Sequence, residues 1–531
     1  MKKYFNSTNE ITSTKLIIFL ALFFIAFDNL AFFSNVTNIY PVNQKNLGFL
    51  LSLTWGFTAA IVLLLSLVCF KYTFKPIAIV VLLITSFASY FMDSYNTIVD
   101  DSMIENIVNT DLAESLDLLS FKLLLYITFL GILPSYLIYK TNISFKKGWQ
   151  EIFLRLKLIG FTLLSVLAVV FVYSDFYSSF FREHKPLRYY ANPSYYVFST
   201  GKFVNNLFIS KALAMTDIGL DAKVPVTGTE RELIIFVVGE TARADRFSLN
   251  GYTRETNPLL KKQNVISFNN FWSCGTSTAT SVPCMFSNIT ASEYSKEKVQ
   301  SIENAIDVLK HAGVNILWLD NNSDSKGVAL RVPYQSYKSP TINSVCNPEC
   351  RDVGMLKNLQ SYINEQQQGD IFIVLHQMGN HGPAYYKRYP AEFEKYTPVC
   401  KTNQLEDCSK EELNNAYDNA ILYTDYFLSE VISLLKNNDE SFETAMFYVS
   451  DHGESLGENG LYLHGLPRFI APDTQTHVPA IMWFGKNFHG TDKELLAKKA
   501  NEKYNHDNIF HTILGFMEIE SSAYDKTLDI L

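Results

Sequence analysis

Hard oxygen and imidazole ligands stand at two distant places in this chain of 531 residues. Glu240-Thr241 follows the apolar run Leu233 to Val238, and Asp451-His452-Gly453-Glu454 follows Ala445 to Ser450. Open α/β sheets collect their chemistry just past the carboxyl ends of buried strands, and this donor set suits a divalent cation. An Asp and a His side by side reach one ion only from an irregular loop, which Gly453 permits. His381 in Asn380-His381-Gly382-Pro383 and His464 in His464-Gly465 could bring two more imidazoles to the same sheet edge. Alone, Glu240 reads first as a residue opposing a helix dipole, and each His as an ordinary polar residue. Their common placement points to metal or phosphate chemistry.

The nucleophile is sought in Ser273 to Cys284, where Ser273, Thr276, Ser277, Thr278, Thr280 and Ser281 crowd one short loop. A bound metal lowers a hydroxyl's pKa toward neutrality, and a helix amino terminus stabilises phosphate oxygens. The residue types do not choose among these hydroxyls, and a Ser/Thr-rich loop also serves as a solvated turn.

Short β-rich runs must position these motifs. Leu233 to Val238, Asn315 to Leu319, Ile371 to Leu375, Ala445 to Ser450 and Val478 to Phe484 read as strands. Ser301 to Ala312, Met355 to Glu365 and Glu411 to Leu435 read as the helices between them. Such alternation predicts an α/β domain with a mainly parallel sheet sandwiched by helices.

The amino-terminal third is of another kind. Uncharged runs occupy Leu16 to Phe27, Gly48 to Phe70, Pro76 to Met92, Leu123 to Tyr139 and Leu158 to Tyr173. With their flanks they approach the roughly 20 residues that cross a bilayer, which predicts an α-helical domain of five spans. The loop after the third span is acidic, whereas Lys2, Lys3, Lys15, Lys71, Lys75, Lys140, Lys146, Lys147, Arg155 and Lys157 fall on the other side. The amino terminus is therefore cytoplasmic, and five spans deliver the rest of the chain outside. No cleavable signal peptide is read, since further spans follow the first. The expected organisation is residues 1–177 transmembrane, 178–230 a juxtamembrane segment rich in Tyr and basic groups, and 231–531 catalytic.

Cys69 lies in a membrane run, and the remaining cysteines form close pairs: Cys274 with Cys284, Cys346 with Cys350, Cys400 with Cys408. Adjacency alone does not fix connectivity, but short loops of this kind suit disulfides in an oxidising compartment. A zinc site built from them is disfavoured, because none has CxxC spacing. The net charge of −8 and the lack of a basic, aromatic-laced cluster outside the membrane region argue against a nucleic-acid partner.

Three stretches resemble the motifs of membrane-bound phosphoethanolamine transferases that modify lipid A, the group that includes the mobile colistin-resistance enzymes. They are Gly239 to Arg246, Ser273 to Phe286, and Ser450 to Glu458. The resemblance implies five spans followed by an alkaline-phosphatase/sulfatase-like domain. It implies Thr278 as the residue that becomes phosphoethanolaminylated, with Glu240, Asp451 and His452 joining it around a catalytic zinc. His381 and His464 match histidines that assist the substrate phosphate or hold a second zinc, and Lys326 matches a basic residue near the substrate. Asn106, Thr110 and Glu114 match positions that hold the lipid headgroup. Ser325 and Ala329 depart from the pattern, standing where some relatives have cysteines.

The implied reaction moves phosphoethanolamine from phosphatidylethanolamine to a lipid A phosphate in the periplasm. It is carried out by a monomer of the bacterial inner membrane and confers polymyxin resistance by reducing surface negative charge. The alternatives are a phosphoglycerol transferase or sulfatase-like hydrolase of the same superfamily, and a catalytically silent membrane receptor.

Overall fold

Helices Gln44–Val68, Phe74–Tyr95, Phe121–Lys140 and Trp149–Val172 are each long and apolar enough to cross a membrane. They belong to a computed structural model that describes residues 10–109, 112–209, 215–225, 230–346 and 349–531. The first expected span is instead a pair, Ser13–Phe27 and Leu30–Ile39, bent by 60°. Asp28 and Asn29 interrupt the apolar run there. Asn29 Nδ2 donates to the Phe24 carbonyl at 3.0 Å, and the Ala31 amide donates to Asp93 Oδ1 at 2.8 Å. Helix ends away from water need such partners. Counted as one, the bent pair completes the five spans.

The last span begins at Trp149, so Arg155 lies inside it rather than in the preceding loop. Its buried guanidinium donates to the Ser66 carbonyl at 2.9 Å and to that of Cys69, placing a cation at the carboxyl end of Gln44–Val68. After this span, Ser174–Glu183, a 3-10 turn at Lys185–Tyr190 and Ser194–Ile209 carry the aromatic stretch. Tyr196 Oη hydrogen-bonds Thr85 Oγ1 at 3.1 Å, and Asn192 Nδ2 donates to the carbonyls of Asp28 and Thr85 at 3.2 Å. Through these bonds the stretch packs on the apolar helices. Met1–Ile104 with Leu119–Asn206 make one compact unit, and Glu105–Leu118 with Leu207–Leu531 make the other.

The second unit is built on an eight-stranded sheet. Its strands are β1 (Arg231–Gly239), β2 (Ile266–Trp272), β3 (Asn315–Asp320), β4 (Tyr334–Ser336), β5 (Ile371–His376), β6 (Phe442–Ser450), β7 (His477–Phe484) and β8 (Tyr504–Asn505). The order is β8-β2-β7-β6-β1-β5-β3-β4, and β7 alone runs antiparallel to its neighbours. β1 is buried on both faces, which is why it reads as a continuous apolar run rather than an alternation. Ile234, Phe236 and Val238 join Ile306 and Leu309 of helix Ala305–His311 and Ile513 and Leu514 of helix Ile509–Phe516 in one core. The long helix Lys410–Lys436 packs against β6 and starts with a capping box of Ser409 and Glu412.

Candidate active site

Parallel pairing of β1 with β6 brings the two separated motifs side by side. Gly239 is in register with Ser450, and the Asp451 amide donates to the Gly239 carbonyl at 2.9 Å, so Glu240 and Asp451 leave the sheet together. The backbone then turns sharply at Thr241, whose φ of 49° is unusual for a β-branched residue. Surrounding bonds hold this turn. The Thr241 amide donates to Asp451 Oδ1 at 3.2 Å, the Ala242 amide to Ser450 Oγ at 2.8 Å, and Tyr417 Oη to the Thr241 carbonyl at 2.5 Å. Arg243 ties the same loop to the other motif, with Nη1 donating to the Glu454 carbonyl at 3.1 Å and to Glu458 Oε1 at 2.6 Å.

Two glycines serve close approach here. A Cβ on Gly453 would sit 2.2 Å from the Thr474 carbonyl oxygen, so this residue is required for space rather than for a special dihedral. Gly379 has φ 50°, and a Cβ there would lie 2.8 Å from the Glu240 carbonyl oxygen.

Thr278 is the first residue of helix Thr278–Met285, with Ser277 at the cap and the Cys274–Cys284 disulfide closing the loop. Among the loop hydroxyls it is Thr278 that meets the metal-type ligands. Its Oγ1 donates to Glu240 Oε2 at 3.1 Å and lies 3.4 Å from His452 Nε2. Ser273 donates to the Gly275 carbonyl and Thr276 to that of Leu466, both at 2.6 Å, and Ser277 donates to Thr280 Oγ1 at 3.4 Å.

Glu240, Asp451 and His452 offer ligand atoms within 4.8 Å of one another, all buried. His452 Nδ1 donates to the Gly453 carbonyl at 2.9 Å, which leaves the Nε2 lone pair facing inward. Burial and the neighbouring His464 hold this imidazole well below its ordinary pKa, so it is neutral, the form that ligates. Burial likewise pushes the Asp451 carboxyl up, and its Oδ2 accepts no hydrogen bond among the described residues. Two carboxylates in so small a dry volume call for a compensating cation. From His452 Nε2 the distances are 3.5 Å to Glu240 Oε1, 3.4 Å to Asp451 Oδ2 and 3.4 Å to Thr278 Oγ1. A tetrahedral ion with N/O bonds of about 2.0–2.1 Å spaces its ligands roughly 3.3–3.4 Å apart, so the donor set fits.

The other histidines converge on the same place. The ring of His464 lies 4.4 Å from that of His452 and 5.5 Å from that of His381, and Glu454 Oε1 orients His464 Nδ1 at 3.1 Å. Lys326 is joined to the group only indirectly: its Nζ donates to the Ser323 carbonyl at 2.8 Å, one residue from Asn322. The Ser325 and Ala329 positions, without cysteines, are linked by the Ala329 amide donating to Ser325 Oγ at 3.2 Å. Asn106 is half-buried on helix Asp101–Asn109, while Thr110 and the side chain of Glu114 lie outside the described residues.

Sequence reading missed three supports. Asn322 Nδ2 donates to Glu240 Oε2 at 2.6 Å, and its place just past β3 was the available signal. Asp320 and His376, both fully buried, pair at 2.9 Å beneath it. His506 accepts from the Cys274 amide at 3.1 Å and donates to the Ser450 carbonyl at 3.2 Å. Beside the site opens a cavity of about 200 Å³ whose lining includes Asp117, Asn322, Lys338, Glu349, His381 and Arg388. Burial and Arg388 bring Lys338 down to about 8. Cysteines pair as neighbours, 274 with 284, 346 with 350 and 400 with 408.

Residues 232–519 match the Sulfatase family and residues 57–208 the family described as phosphoethanolamine transferase EptA/EptB. The phosphatidylethanolamine transferase Mcr-1 of Escherichia coli is 43% identical over 97% of this chain and 96% of its own length. The chain belongs to the phosphoethanolamine transferase family. Phosphoethanolamine transferase EptA of Escherichia coli K12 is 40% identical to this transferase, over 97% of the chain and 96% of that protein. In three dimensions the transferase resembles the integral membrane lipooligosaccharide phosphoethanolamine transferase A of Neisseria meningitidis. The TM-score is 0.94 at 35% identity, covering 98% of this chain and 99% of that one. The transferase is thus an integral membrane enzyme with apolar helices in its amino-terminal part and a sulfatase-like catalytic domain after them.

Proposed function

We propose that this transferase moves phosphoethanolamine from phosphatidylethanolamine to a phosphate of lipid A through a covalent adduct on Thr278. The observation that carries the reading is Thr278 Oγ1 at a helix start, 3.1 Å from Glu240 Oε2 and 3.4 Å from His452 Nε2. Glu240, Asp451, His452 and Thr278 would hold zinc, which when bound supplies Lewis acidity that lowers the hydroxyl's pKa and neutralises phosphoryl charge. The rest is the work of the chain's own groups. Thr278 Oγ1 attacks the donor phosphorus while its proton passes to Glu240 Oε2, and the phosphorus–oxygen bond to diacylglycerol breaks as that oxygen takes up the proton Glu240 received. His381 and His464 face the phosphoryl oxygens, and the start of helix Thr278–Met285 adds its dipole. A hydroxyl oxygen of the acceptor phosphate then attacks the same phosphorus, its proton passes to Glu240, and the bond to Thr278 breaks as Oγ1 takes that proton up.

The donor is the lipid for which the Mcr-1 relative is named, and the acceptor class is in line with the name of the Neisseria relative. Residues 1–177 serve as the membrane domain in the bacterial inner membrane, 178–230 as the juxtamembrane segment, and 231–531 as the periplasmic domain, where disulfides form. Asn106, Thr110 and Glu114 belong with the lipid headgroup and Lys326 with the substrate side. A phosphoethanolamine on a lipid A phosphate adds a cation to an anionic surface and so weakens polymyxin attraction.

Intact-mass measurement of the full chain after incubation with phosphatidylethanolamine should show a phosphoethanolamine increment that Thr278→Ala removes. An adduct persisting on the alanine variant would refute the nucleophile. Mass spectrometry of lipid A from cells expressing the chain should show the same increment, lost in Glu240→Ala. A phosphoglycerol increment would favour the neighbouring superfamily reaction instead.

A further inference from the structure

Residues Glu105–Leu118 stand in sequence between the spans Phe74–Tyr95 and Phe121–Lys140, yet they cluster with the catalytic unit. Their anchor is Asp117. Its Oδ2 accepts from Arg388 Nη2 at 2.7 Å, its Oδ1 accepts from Lys387 Nζ, and its carbonyl accepts from Asn403 Nδ2 at 2.6 Å. Burial alone would raise this carboxyl, but the Arg388 and Lys387 cations outweigh it and hold it below the usual carboxylate range. The anchor is therefore charged at any working pH.

Arg388 is occupied in two further directions. Nη1 donates to Glu349 Oε2 at 2.6 Å, within the Cys346–Cys350 loop, and Nε donates to the His381 carbonyl at 2.7 Å. Its side chain is 4% exposed, so water does not compete for these bonds. A guanidinium is the side chain that donates from three nitrogens fixed in one plane, whereas a lysine offers a single point charge. One rigid group thus joins the backbone of His381, which stands beside His464, to the segment that continues into the spans.

We propose that Arg388 is a positioning residue for the transfer reaction. It fixes the His381 loop, and through Asp117 it registers Glu105–Leu118 against that loop so that the lipid donor finds the site formed. The inference rests on the transfer reaction proposed above. A lipid donor keeps its acyl chains in the bilayer while its phosphorus reaches Thr278, so it senses the segment leading to the spans. A small soluble phosphoethanolamine ester does not.

The full chain in phospholipid vesicles, assayed with phosphatidylethanolamine and with a chromogenic aryl phosphoethanolamine ester, tests this. Asp117→Asn should lower kcat/KM for the lipid by more than tenfold, chiefly through KM, and that for the soluble ester by less than threefold. Asp117→Glu should recover at least part of the lipid activity. Arg388→Lys should lower kcat for both donors, because the His381 carbonyl loses its fixed partner. If Asp117→Asn fails to accumulate, Asn403→Ala, which removes the bond to the Asp117 carbonyl, should show the same lipid-selective loss. Equal losses on both donors in the Asp117 or Asn403 variant, no loss on either, or an undiminished kcat in Arg388→Lys overturns the proposal. A wild-type chain that turns over neither donor overturns the underlying reaction and the positioning role with it, whereas wild-type turnover with non-selective variants overturns the positioning role alone.

Discussion

His506 shows how a residue without chemistry of its own can govern the site. It takes the Cys274 amide proton on Nδ1 and gives its Nε2 proton to the Ser450 carbonyl, so it joins the loop of Thr278 to the strand end before Asp451. Both bonds need the neutral ring, and complete burial lowers its pKa to about 3. In the unfolded chain an imidazole titrates near 6.5, so between these values the unfolded state binds the extra proton and stability rises with pH. The contribution is full above about pH 6.5 and is lost progressively on acidification toward 3, on the order of 5 kcal/mol in all. Thermal unfolding of the full chain should therefore fall in midpoint from pH 7 to pH 4 more steeply than for His506→Gln, whose amide does not take up a proton. Parallel curves for the two proteins would remove His506 from this role.

At the scale of elements, the strand ends and the turn after β6 decide the ligand geometry. The parallel register of Gly239 with Ser450 places Glu240 beside Asp451, and Gly453 lets the following turn pass under Thr474. In Gly453→Ala the new methyl carbon would stand 2.2 Å from a backbone oxygen, which no side-chain rotation relieves. A loss of roughly 1–3 kcal/mol of stability is expected from such overpacking. The Asp451-His452 pair must also move, so turnover should drop at least tenfold. Differential scanning calorimetry and donor turnover on one preparation check both figures, and an alanine variant with normal turnover would show that the turn tolerates displacement.

For the whole molecule, covalent loops do work that the small helices of the catalytic unit cannot do alone. Helix Thr278–Met285 has eight residues, too few to hold its own register, and Cys274–Cys284 closes it across a sequence separation of 10. Removing such a crosslink costs about 2–4 kcal/mol. The double variant Cys274→Ser with Cys284→Ser should unfold several degrees earlier and lose most turnover, and chain made in a reducing compartment should behave alike. Full activity in the reduced protein would mean that Ser277 and His506 suffice to fix Thr278.

The metal-type ligands were legible because β1 and β6 are continuous apolar runs that stop at acidic residues, and chain order with hydropathy is enough to see that. The strands at 231–239, 315–320, 371–376, 442–450 and 477–484 were visible for the same reason. β2 was missed because Asn269 and Asn270 break its apolar alternation, and β4 and β8 because short edge strands bury too little to leave a pattern. The helix expected from Ser301 starts only at Ala305, where Asn304 and Asp307 form its cap. Local composition likewise marked the membrane runs but not the break at Asp28-Asn29, which depends on partners such as Asp93 and Asn192. Sequence alone determined which residue types could bind a cation and that they follow buried strands, since burial and ligand chemistry are properties of residues and their near neighbours. The tertiary structure decided that Thr278 Oγ1 is the hydroxyl beside Glu240 and His452, that Asn322 and His506 brace the site, and that Arg388 reaches Asp117. Hydrogen bonds between residues tens to hundreds of positions apart leave no periodicity in the chain, and only packing brings such partners together.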